Sequence, residues 1–176
     1  MNIWHDISAD RVTPEKFTAV IEISKGGKNK YELDKSTGLL RLDRVLYTST
    51  HYPANYGFIP RTYADDKDPL DVLVLCQESI IPLTLVDCKP IGVLEMTDGE
   101  SFDEKIIAVP LRDPSYNCFE SILQLPKHIF EEVSNFFEVY KTLEGIPTEV
   151  KDIKGADEAV KIIDMCINNY KEAFSN

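Results

Sequence analysis

The sequence predicts a mixed α and β fold, in which a small β-barrel is flanked by two main α-helices. Short segments rich in β-branched residues, separated by turn residues, fill much of the first two thirds of the 176 residues, and apolar residues at helical spacing fill the last third. Closely spaced strands with short turns favour a barrel or sandwich over alternating βα units. Because no repeat, low-complexity tract or linker interrupts the chain, we predict one domain over residues 1–176.

The predicted strands come first along the chain. Residues 18–24 alternate and are β-branched, and Gly26 and Gly27 mark the turn that follows. Alternation in residues 30–34 predicts a second strand, with Lys30, Glu32 and Asp34 on one face. The remaining strand predictions are residues 39–47, a buried run at 72–76, two stretches around Pro90 within 83–96, and residues 105–109.

Two helices are predicted in the last third of the chain. From Pro126 onward, apolar side chains recur at helical spacing, and Gly145 is the predicted C-terminal stop. A second stripe predicts a terminal helix and consists of Ala159, Ile163, Ile167, Tyr170 and Phe174. These two helices would flank the barrel.

Charge and cysteine usage exclude several classes of protein. Lys plus Arg number 19 and Asp plus Glu number 30, which gives a formal net charge of −11. This balance argues against binding of nucleic acid or of an anionic membrane, since both need basic residues. No apolar run approaches the ~20 residues of a membrane span, and the N-terminus lacks the layout of a signal peptide. The four cysteines are far apart, without a C-x-x-C pair, so we interpret them as reduced thiols of a cytoplasmic protein.

The strongest local signal for chemistry is an acidic segment just before the predicted buried strand. Asp66, Asp68 and Asp71 lie within six residues, and such carboxylates repel one another unless cations lie between them. The alternative is a solvated acidic turn, because Asp-Pro is common in turns. An EF-hand is excluded, since Leu70 stands where that loop needs an oxygen ligand and Asp71 where it needs glycine.

A second acidic cluster surrounds a predicted hairpin turn. A hairpin through Gly99 would aim Asp98 and Asp103 at one point, although the alternative is a solvated hairpin tip. Taken with scattered lysines, arginines and tyrosines, the two clusters suit divalent cations that prefer oxygen ligands, together with a phosphorylated anion. No P-loop motif is present, so the sequence does not support a nucleotide held in that way.

Several sequence blocks in register resemble those of soluble family I inorganic pyrophosphatases of the short bacterial type. Residues 66–72 look like the family signature D-x-D-P-x-D-V. Matching blocks occur in order at residues 20–23, 30–35, 42–44, 52–58, 92–98, 103–105 and 136–141. The resemblance implies a five-stranded OB-like β-barrel with flanking helices and Mg²⁺-dependent hydrolysis of pyrophosphate to two phosphates. It also implies Mn²⁺ as a possible substitute and assembly into homohexamers.

The resemblance also implies roles for individual residues at matching positions. Asp68 would be the general base that faces the attacking water. The metal ligands would be Asp66, Asp71, Asp98, Asp103 and Glu22. The phosphates of the substrate would be bound by Lys30, Arg44, Tyr56, Lys105, Tyr140 and Lys141. Glu32 and Tyr52 would form a supporting shell.

Lys67 departs from the family pattern, and two other function classes remain as alternatives. Lys67 stands where the family usually has a small or acidic residue, and it adds a cation within the metal loop. This lysine favours a second hypothesis, a cation- or phosphate-binding module without turnover. A third hypothesis is an OB-type nucleic-acid binder that stacks bases on Tyr52, Tyr56 and Phe58, which the acidic composition opposes.

Overall fold

The structure is a computed structural model, and it describes residues 2–174. Its strands are β1 (Phe17–Ile23), β2 (Asn29–Leu33), β3 (Leu40–Val45), β4 (Asn55–Phe58), β5 (Asp71–Val74), β6 (Leu85–Asp98), β7 (Ser101–Pro110) and β8 (Thr148–Gly155). Its helices are α1 (Ile3–Asp6), α2 (Lys127–Val139) and α3 (Ala156–Phe174), and short 3-10 helices occupy Ala9–Arg11, Ile122–Gln124 and Thr142–Glu144. Within residues 2–174, no helix is long and apolar enough to cross a lipid bilayer.

Five strands close into a barrel. Strands β1, β4, β5, β7 and β6 pair in that order, and β6 pairs back with β1. Strands β5 and β7 run parallel, whereas the other barrel pairs are antiparallel. Closure pairs the barrel strands on both sides, which removes exposed sheet edges. The predicted five-stranded OB-like barrel with flanking helices is confirmed.

The prediction of two strand stretches around Pro90 is wrong, because β6 is one continuous strand. One edge of β6 pairs with β1 from Leu85 to Cys88 and with β8 from Gly92 to Asp98, so Pro90 falls between the two partners. On the other edge, the register with β7 shifts between Pro90 and Gly92. Proline has no N–H to donate to a neighbouring strand. Because Pro90 lies between the two partners on one edge and at the register shift on the other, β6 can continue through this residue.

The chain after residue 126 differs from the prediction in two ways. Helix α2 ends at Val139, and Gly145, with a φ of 72°, ends the following 3-10 helix and not α2 itself. Strand β8 was not predicted, because its mostly polar and partly exposed residues lack a clear apolar alternation. The shorter helix leaves Tyr140 and Lys141 at its C-terminal end, where they are available to a site.

The two long helices cover different faces of the barrel sheet. Ile107 of β7 belongs to the apolar cluster that contains Phe137 of α2. Its neighbour Ile106 belongs to the cluster that contains Ile163 of α3. Because successive side chains of a strand point to opposite faces, this alternation places α2 on one face of β7 and α3 on the other.

Candidate active site

An open cleft of about 210 Å³ lies between the barrel, the β2–β3 hairpin and the C-terminal end of α2. All but two of the predicted site residues line it. Its acidic lining consists of Glu22, Glu32, Asp66, Asp68, Asp71, Asp98 and Asp103. Its lysine and tyrosine lining at the predicted positions consists of Lys30, Tyr56, Lys105, Tyr140 and Lys141. The structure therefore brings the two acidic segments to one place, where lysine and tyrosine donors suited to phosphate lie among the carboxylates.

Strand register explains why the two acidic segments meet. In the parallel pair of β5 and β7, Asp71 lies opposite Lys105. Asp103 is two residues before Lys105 on the same strand, so its side chain points to the same face. Asp98 ends β6 and pairs with Ser101 across the predicted hairpin turn. The barrel itself therefore fixes Asp71, Lys105 and Asp103 relative to one another.

Backbone hydrogen bonds shape the loop that carries Asp66 and Asp68. The Asp68 N–H donates to Asp66 Oδ1 at 3.0 Å, and the Ala64 N–H donates to the Asp68 carbonyl oxygen at 2.9 Å. Lys67, between the two aspartates, has a φ of 69°, in the left-handed region. Leu70 closes the loop, because its N–H donates to the buried Thr62 Oγ1 at 2.8 Å.

Lys105 is the buried centre of the cleft, with a side chain only 3% exposed. Its Nζ donates to Asp71 Oδ2 at 2.7 Å, to Asp103 Oδ2 at 2.9 Å and to the Tyr56 hydroxyl at 3.0 Å. The Tyr56 hydroxyl also donates to Asp71. Burial works to lower the pKa of Lys105, but Asp71, Tyr56 and Asp103 outweigh it and hold the pKa well above its usual value. The amine is therefore a permanent cation.

Burial disfavours the charged form of several carboxyl groups in the cleft. It raises the pKa of Asp66, and it raises the pKa of Asp103 against the opposing effect of Lys105. It raises the pKa of Glu22 to about 8, although the Leu33 N–H donates to Glu22 Oε1 at 2.7 Å. Carboxylates that have lost water are stabilised by nearby positive charge, whether from lysine or from a metal ion.

Further lining of the cleft comes from the end of α2 and from β2. Lys141 pairs with Asp98, and the Tyr140 hydroxyl lies 3.4 Å from Asp98 Oδ2. Burial raises the pKa of Tyr140, so its hydroxyl keeps its proton and can donate it in a hydrogen bond. On β2, Lys30 pairs with Glu32. Tyr140 is 4% exposed, whereas the Lys30 and Lys141 side chains are 20% and 15% exposed.

Arg44 and Tyr52 are the two predicted site residues outside the cleft lining. The Arg44 Nε lies 2.8 Å from Glu144 Oε1, and the guanidinium also contacts Asp43. Tyr52 is buried, and its ring lies 5.3 Å from that of Tyr56. Burial also raises the pKa of Tyr52. Tyr52 is thus placed behind a cleft residue and not in the cleft.

Burial also removes the basis of the nucleic-acid hypothesis. Tyr52, Tyr56 and Phe58 are 2%, 8% and 2% exposed, respectively. Stacking needs an accessible ring face for each base. These three rings therefore do not form a platform for bases.

The structure also places at the site residues that sequence reasoning missed, including Trp4, Lys35 and Glu144. Trp4 of α1 and Lys35 line the cleft, and Glu144 pairs with Arg44. Lys35 lies in one of the matching sequence blocks, but nothing in its spacing indicated a contact with the distant acidic loop. Trp4 and Glu144 are isolated residues whose neighbours are set only by the tertiary fold.

The donor set of the cleft fits a hard cation. Among residues 2–174, no three carboxylate, imidazole or thiol groups are grouped closely enough to enclose a metal ion. Lysines instead neutralise the carboxylates, with Lys105 between Asp71 and Asp103 and Lys141 on Asp98. Mg²⁺ needs only one or two carboxylates, because it keeps several waters and uses phosphate oxygens as further ligands. The carboxylate oxygens of the cleft match this preference.

An OB-type barrel whose cleft combines carboxylates with lysines and tyrosines is typical of proteins that bind phosphate groups. Comparison with known sequences narrows this class. A sequence model of the family described as inorganic pyrophosphatase matches residues 19–171. The chain is 48% identical over 171 residues to soluble inorganic pyrophosphatase 2 of Chlamydomonas reinhardtii, covering 97% of this chain and 89% of that protein. The chain belongs to the inorganic pyrophosphatase family.

Solved structures agree with this assignment. The inorganic pyrophosphatase of Thermus thermophilus superposes with a TM-score of 0.92 at 36% identity, over 97% of this chain and 99% of that one. The inorganic pyrophosphatase of Helicobacter pylori superposes with a TM-score of 0.87 at 41% identity, over 90% and 95% of the two chains. Both fold and sequence therefore relate this chain to bacterial as well as algal members of the family.

Proposed function

We propose that the protein hydrolyses inorganic pyrophosphate to two phosphates with the help of Mg²⁺, for which Mn²⁺ can substitute. The observation that carries this proposal is the convergence of the segments at 66–71 and 98–103 on one cleft that also holds lysine and tyrosine donors. Membership of the inorganic pyrophosphatase family supports it. Pyrophosphate has the charge and the oxygen atoms that this lining would bind.

The carboxylates of the cleft are the proposed metal ligands, namely Asp66, Asp71, Asp98, Asp103 and Glu22. When bound, Mg²⁺ would neutralise phosphate charge and lower the pKa of the attacking water. Asp68 is the proposed general base. Its side chain lines the cleft and is 55% exposed, so its carboxylate can meet a water and accept its proton.

Positive and hydroxyl donors are the proposed phosphate ligands, namely Lys30, Arg44, Tyr56, Lys105, Tyr140 and Lys141. Attack in line on one phosphorus builds negative charge on the leaving phosphate, which fixed donors stabilise. Lys105 is held in place before substrate arrives, since three hydrogen bonds fix its amine. Glu32 and Tyr52 would support this set, Glu32 through Lys30 and Tyr52 through Tyr56.

Phosphate release from pyrophosphate tests the proposal. We expect release with Mg²⁺ and none with excess EDTA. The Asp68→Asn variant should fold normally and lose roughly 10²- to 10⁴-fold in kcat, the range typical of a lost general base. The neighbouring Asp65→Asn, which makes the same chemical change outside the cleft lining, is the matched control.

Two results would contradict parts of this proposal. Near-normal turnover in the Asp68→Asn variant would refute its role as the base while leaving the activity itself in place. Tight binding of pyrophosphate by the unaltered protein, with no phosphate release under any divalent cation, would favour a binding module without turnover.

Assembly and location complete the proposal. We propose a homohexamer, which light scattering would report as six times the mass of the chain. Exposed apolar side chains support association, and those of the β2–β3 region include Leu39, Leu42, Val45 and Tyr47. A cytoplasmic location is proposed because Cys76, Cys88, Cys118 and Cys166 are all unpaired thiols.

A further inference from the structure

Lys35 links the proposed base to a distant part of the chain. It lies in the turn after β2, and its Nζ forms an ion pair with Asp68 Oδ1. The side chains of Lys35 and Asp68 are 42% and 55% exposed. An ion pair this exposed is weak by itself, because water screens it and two flexible side chains must be ordered. A stable contact therefore requires something else to hold the lysine.

The N-terminal segment supplies that support. The Lys35 Nζ lies 5.0 Å from the centroid of the Trp4 ring, within the range of a cation–π interaction. The Asn2 Nδ2 donates to the Lys35 carbonyl oxygen at 3.1 Å. Lys35 is thus held at its backbone and at its ammonium group by two residues of one short segment, Asn2 and Trp4.

Trp4 is in turn fixed to the segment from which the acidic loop begins. Its indole Nε1 donates to the Thr62 carbonyl oxygen at 2.9 Å, and its own carbonyl oxygen accepts from the Arg61 N–H at 3.0 Å. The residue as a whole is 6% exposed. Since Thr62 Oγ1 also accepts from Leu70 at the other end of the loop, the indole has a defined position relative to Asp68.

We propose that Trp4 and Lys35 are positioning residues for Asp68, so that the N-terminal segment Asn2–Asp6 helps to aim the base. The inference depends on the proposed function, in which Asp68 accepts the proton of the attacking water. Lys35 acts through Asp68 and does not bind pyrophosphate. A misplaced catalytic group lowers the rate of the chemical step without weakening substrate binding.

Kinetics of Lys35 variants test this role. Lys35→Met should lower kcat about fivefold with KM changed less than twofold, because only the orientation of the base is lost. Lys35→Arg should recover most of the loss, since arginine can pair with a carboxylate and stack on an indole. Trp4→Leu should resemble Lys35→Met. Lys161→Met, which removes an exposed lysine paired with Glu158 on α3, is the matched control and should behave as the unaltered protein.

Fluorescence gives a second readout that does not depend on activity. Trp4 is the only tryptophan of the chain, so its emission reports on the lysine beside its ring. Lys35→Met should shift or intensify this emission, whereas Lys161→Met should leave it unchanged. An unchanged emission in Lys35→Met would show that the lysine does not lie over the indole and would overturn the proposal.

A double variant separates this inference from the proposed function. If Lys35 acts through Asp68, Lys35→Met should have no further effect on kcat in the Asp68→Asn background. A full further fivefold loss there, or a rise in KM with unchanged kcat in Lys35→Met, would show a direct role on the substrate and overturn the inference. Near-normal activity of Asp68→Asn alone would instead refute the base role on which the inference depends.

Discussion

Lys105 and Lys35 both pair with carboxylates of the same cleft, but in opposite surroundings. The Lys105 side chain is 3% exposed and contacts two carboxylates and a tyrosine hydroxyl. The Lys35 side chain is 42% exposed and contacts one carboxylate and one aromatic ring. A buried charge that loses its partner is costly, whereas an exposed pair contributes little. Ion pairing by Lys105 therefore stabilises the fold, whereas ion pairing by Lys35 serves, in our proposal, to orient the Asp68 side chain.

The elements that carry these residues differ in the same way. Lys105 lies within β7 and Asp71 begins β5, so the barrel register fixes their separation. Lys35 and Asp68 lie in loops. A hydrogen bond from Asn2 holds the Lys35 backbone, and the Asp68 N–H donates to Asp66 within the same loop. The deep half of the cleft is thus built by the sheet, and its rim by contacts between loops and the N-terminal segment.

The largest expected effect comes from Lys105→Met. It leaves Asp71 and Asp103 facing each other without their cation, so we expect the free energy of unfolding to fall by about 3 kcal/mol in metal-free buffer. Phosphate release should be lost as well. Urea denaturation measures the first effect, and added Mg²⁺ should recover part of the stability by binding the unpaired carboxylates of the folded state.

Lys35→Met provides the contrast for Lys105→Met. Its unfolding free energy should change by less than about 0.5 kcal/mol, because the lost ion pair is exposed. Equal losses of stability in the two variants would contradict the division between a buried centre and an exposed rim.

The next largest expected effect is a loss of stability on removing a tyrosine hydroxyl, and it should differ between two tyrosines of the cleft. The Tyr56 hydroxyl donates to Asp71 and accepts from Lys105 at 3.0 Å, so Tyr56→Phe should cost about 1.5 kcal/mol of stability. The Tyr140 hydroxyl makes one long contact of 3.4 Å to Asp98, so Tyr140→Phe should cost about 0.5 kcal/mol. Thermal unfolding of both variants measures the difference, and the opposite order would contradict it.

The sequence predicts those strands and site residues that depend on a local pattern or on a family motif. Alternation and β-branched residues predict β1 and the buried run of β5, and two separate family blocks, residues 66–72 and 103–105, indicate Asp71 and Lys105. The pairing of β6 with β1 that closes the barrel has no local signal, nor does the pairing of β6 with β8. Contacts of Lys35 with Trp4 and of Arg44 with Glu144 join distant residues, and only the tertiary fold determines them.

Asp113 extends the comparison to a carboxylate that is buried without a lysine. It accepts from the Gln77 N–H at 2.9 Å, from the Gln77 Nε2 at 2.8 Å and from the Ser115 N–H at 2.9 Å. Burial works to raise its pKa, but the hydrogen bonds from Gln77 and Ser115 outweigh it and lower the pKa of Asp113 from 3.8 to about 2. A lowered pKa stabilises the fold above the unfolded value, and this stability is lost as the pH falls toward the folded value.

Asp113→Asn should therefore remove a contribution to folding stability that depends on pH. At pH 7 the variant should be less stable than the unaltered protein by about 1 kcal/mol, and the gap should close as the pH falls from about 4 to about 2. Urea unfolding of both proteins at several pH values measures the difference in stability. Because the other carboxylates titrate in both proteins, their effect cancels in this difference. A gap that stays constant with pH would show that Asp113 contributes by packing and not by its charge.

The smallest expected effect on stability is at Lys67, in the exposed loop that carries Asp66 and Asp68. Its φ of 69° is unfavourable for a residue with a Cβ by about 1 to 2 kcal/mol. Glycine removes this strain, but it costs about 0.5 to 1 kcal/mol because it loses more backbone entropy on folding. Lys67→Gly should thus raise the unfolding free energy by about 0.5 kcal/mol. Asp65→Gly, in the same loop but without a positive φ, should lower it by a similar amount. Because Lys67 does not line the cleft, its loss should leave kcat within about twofold, and a larger change would show that this lysine reaches the bound metal or phosphate.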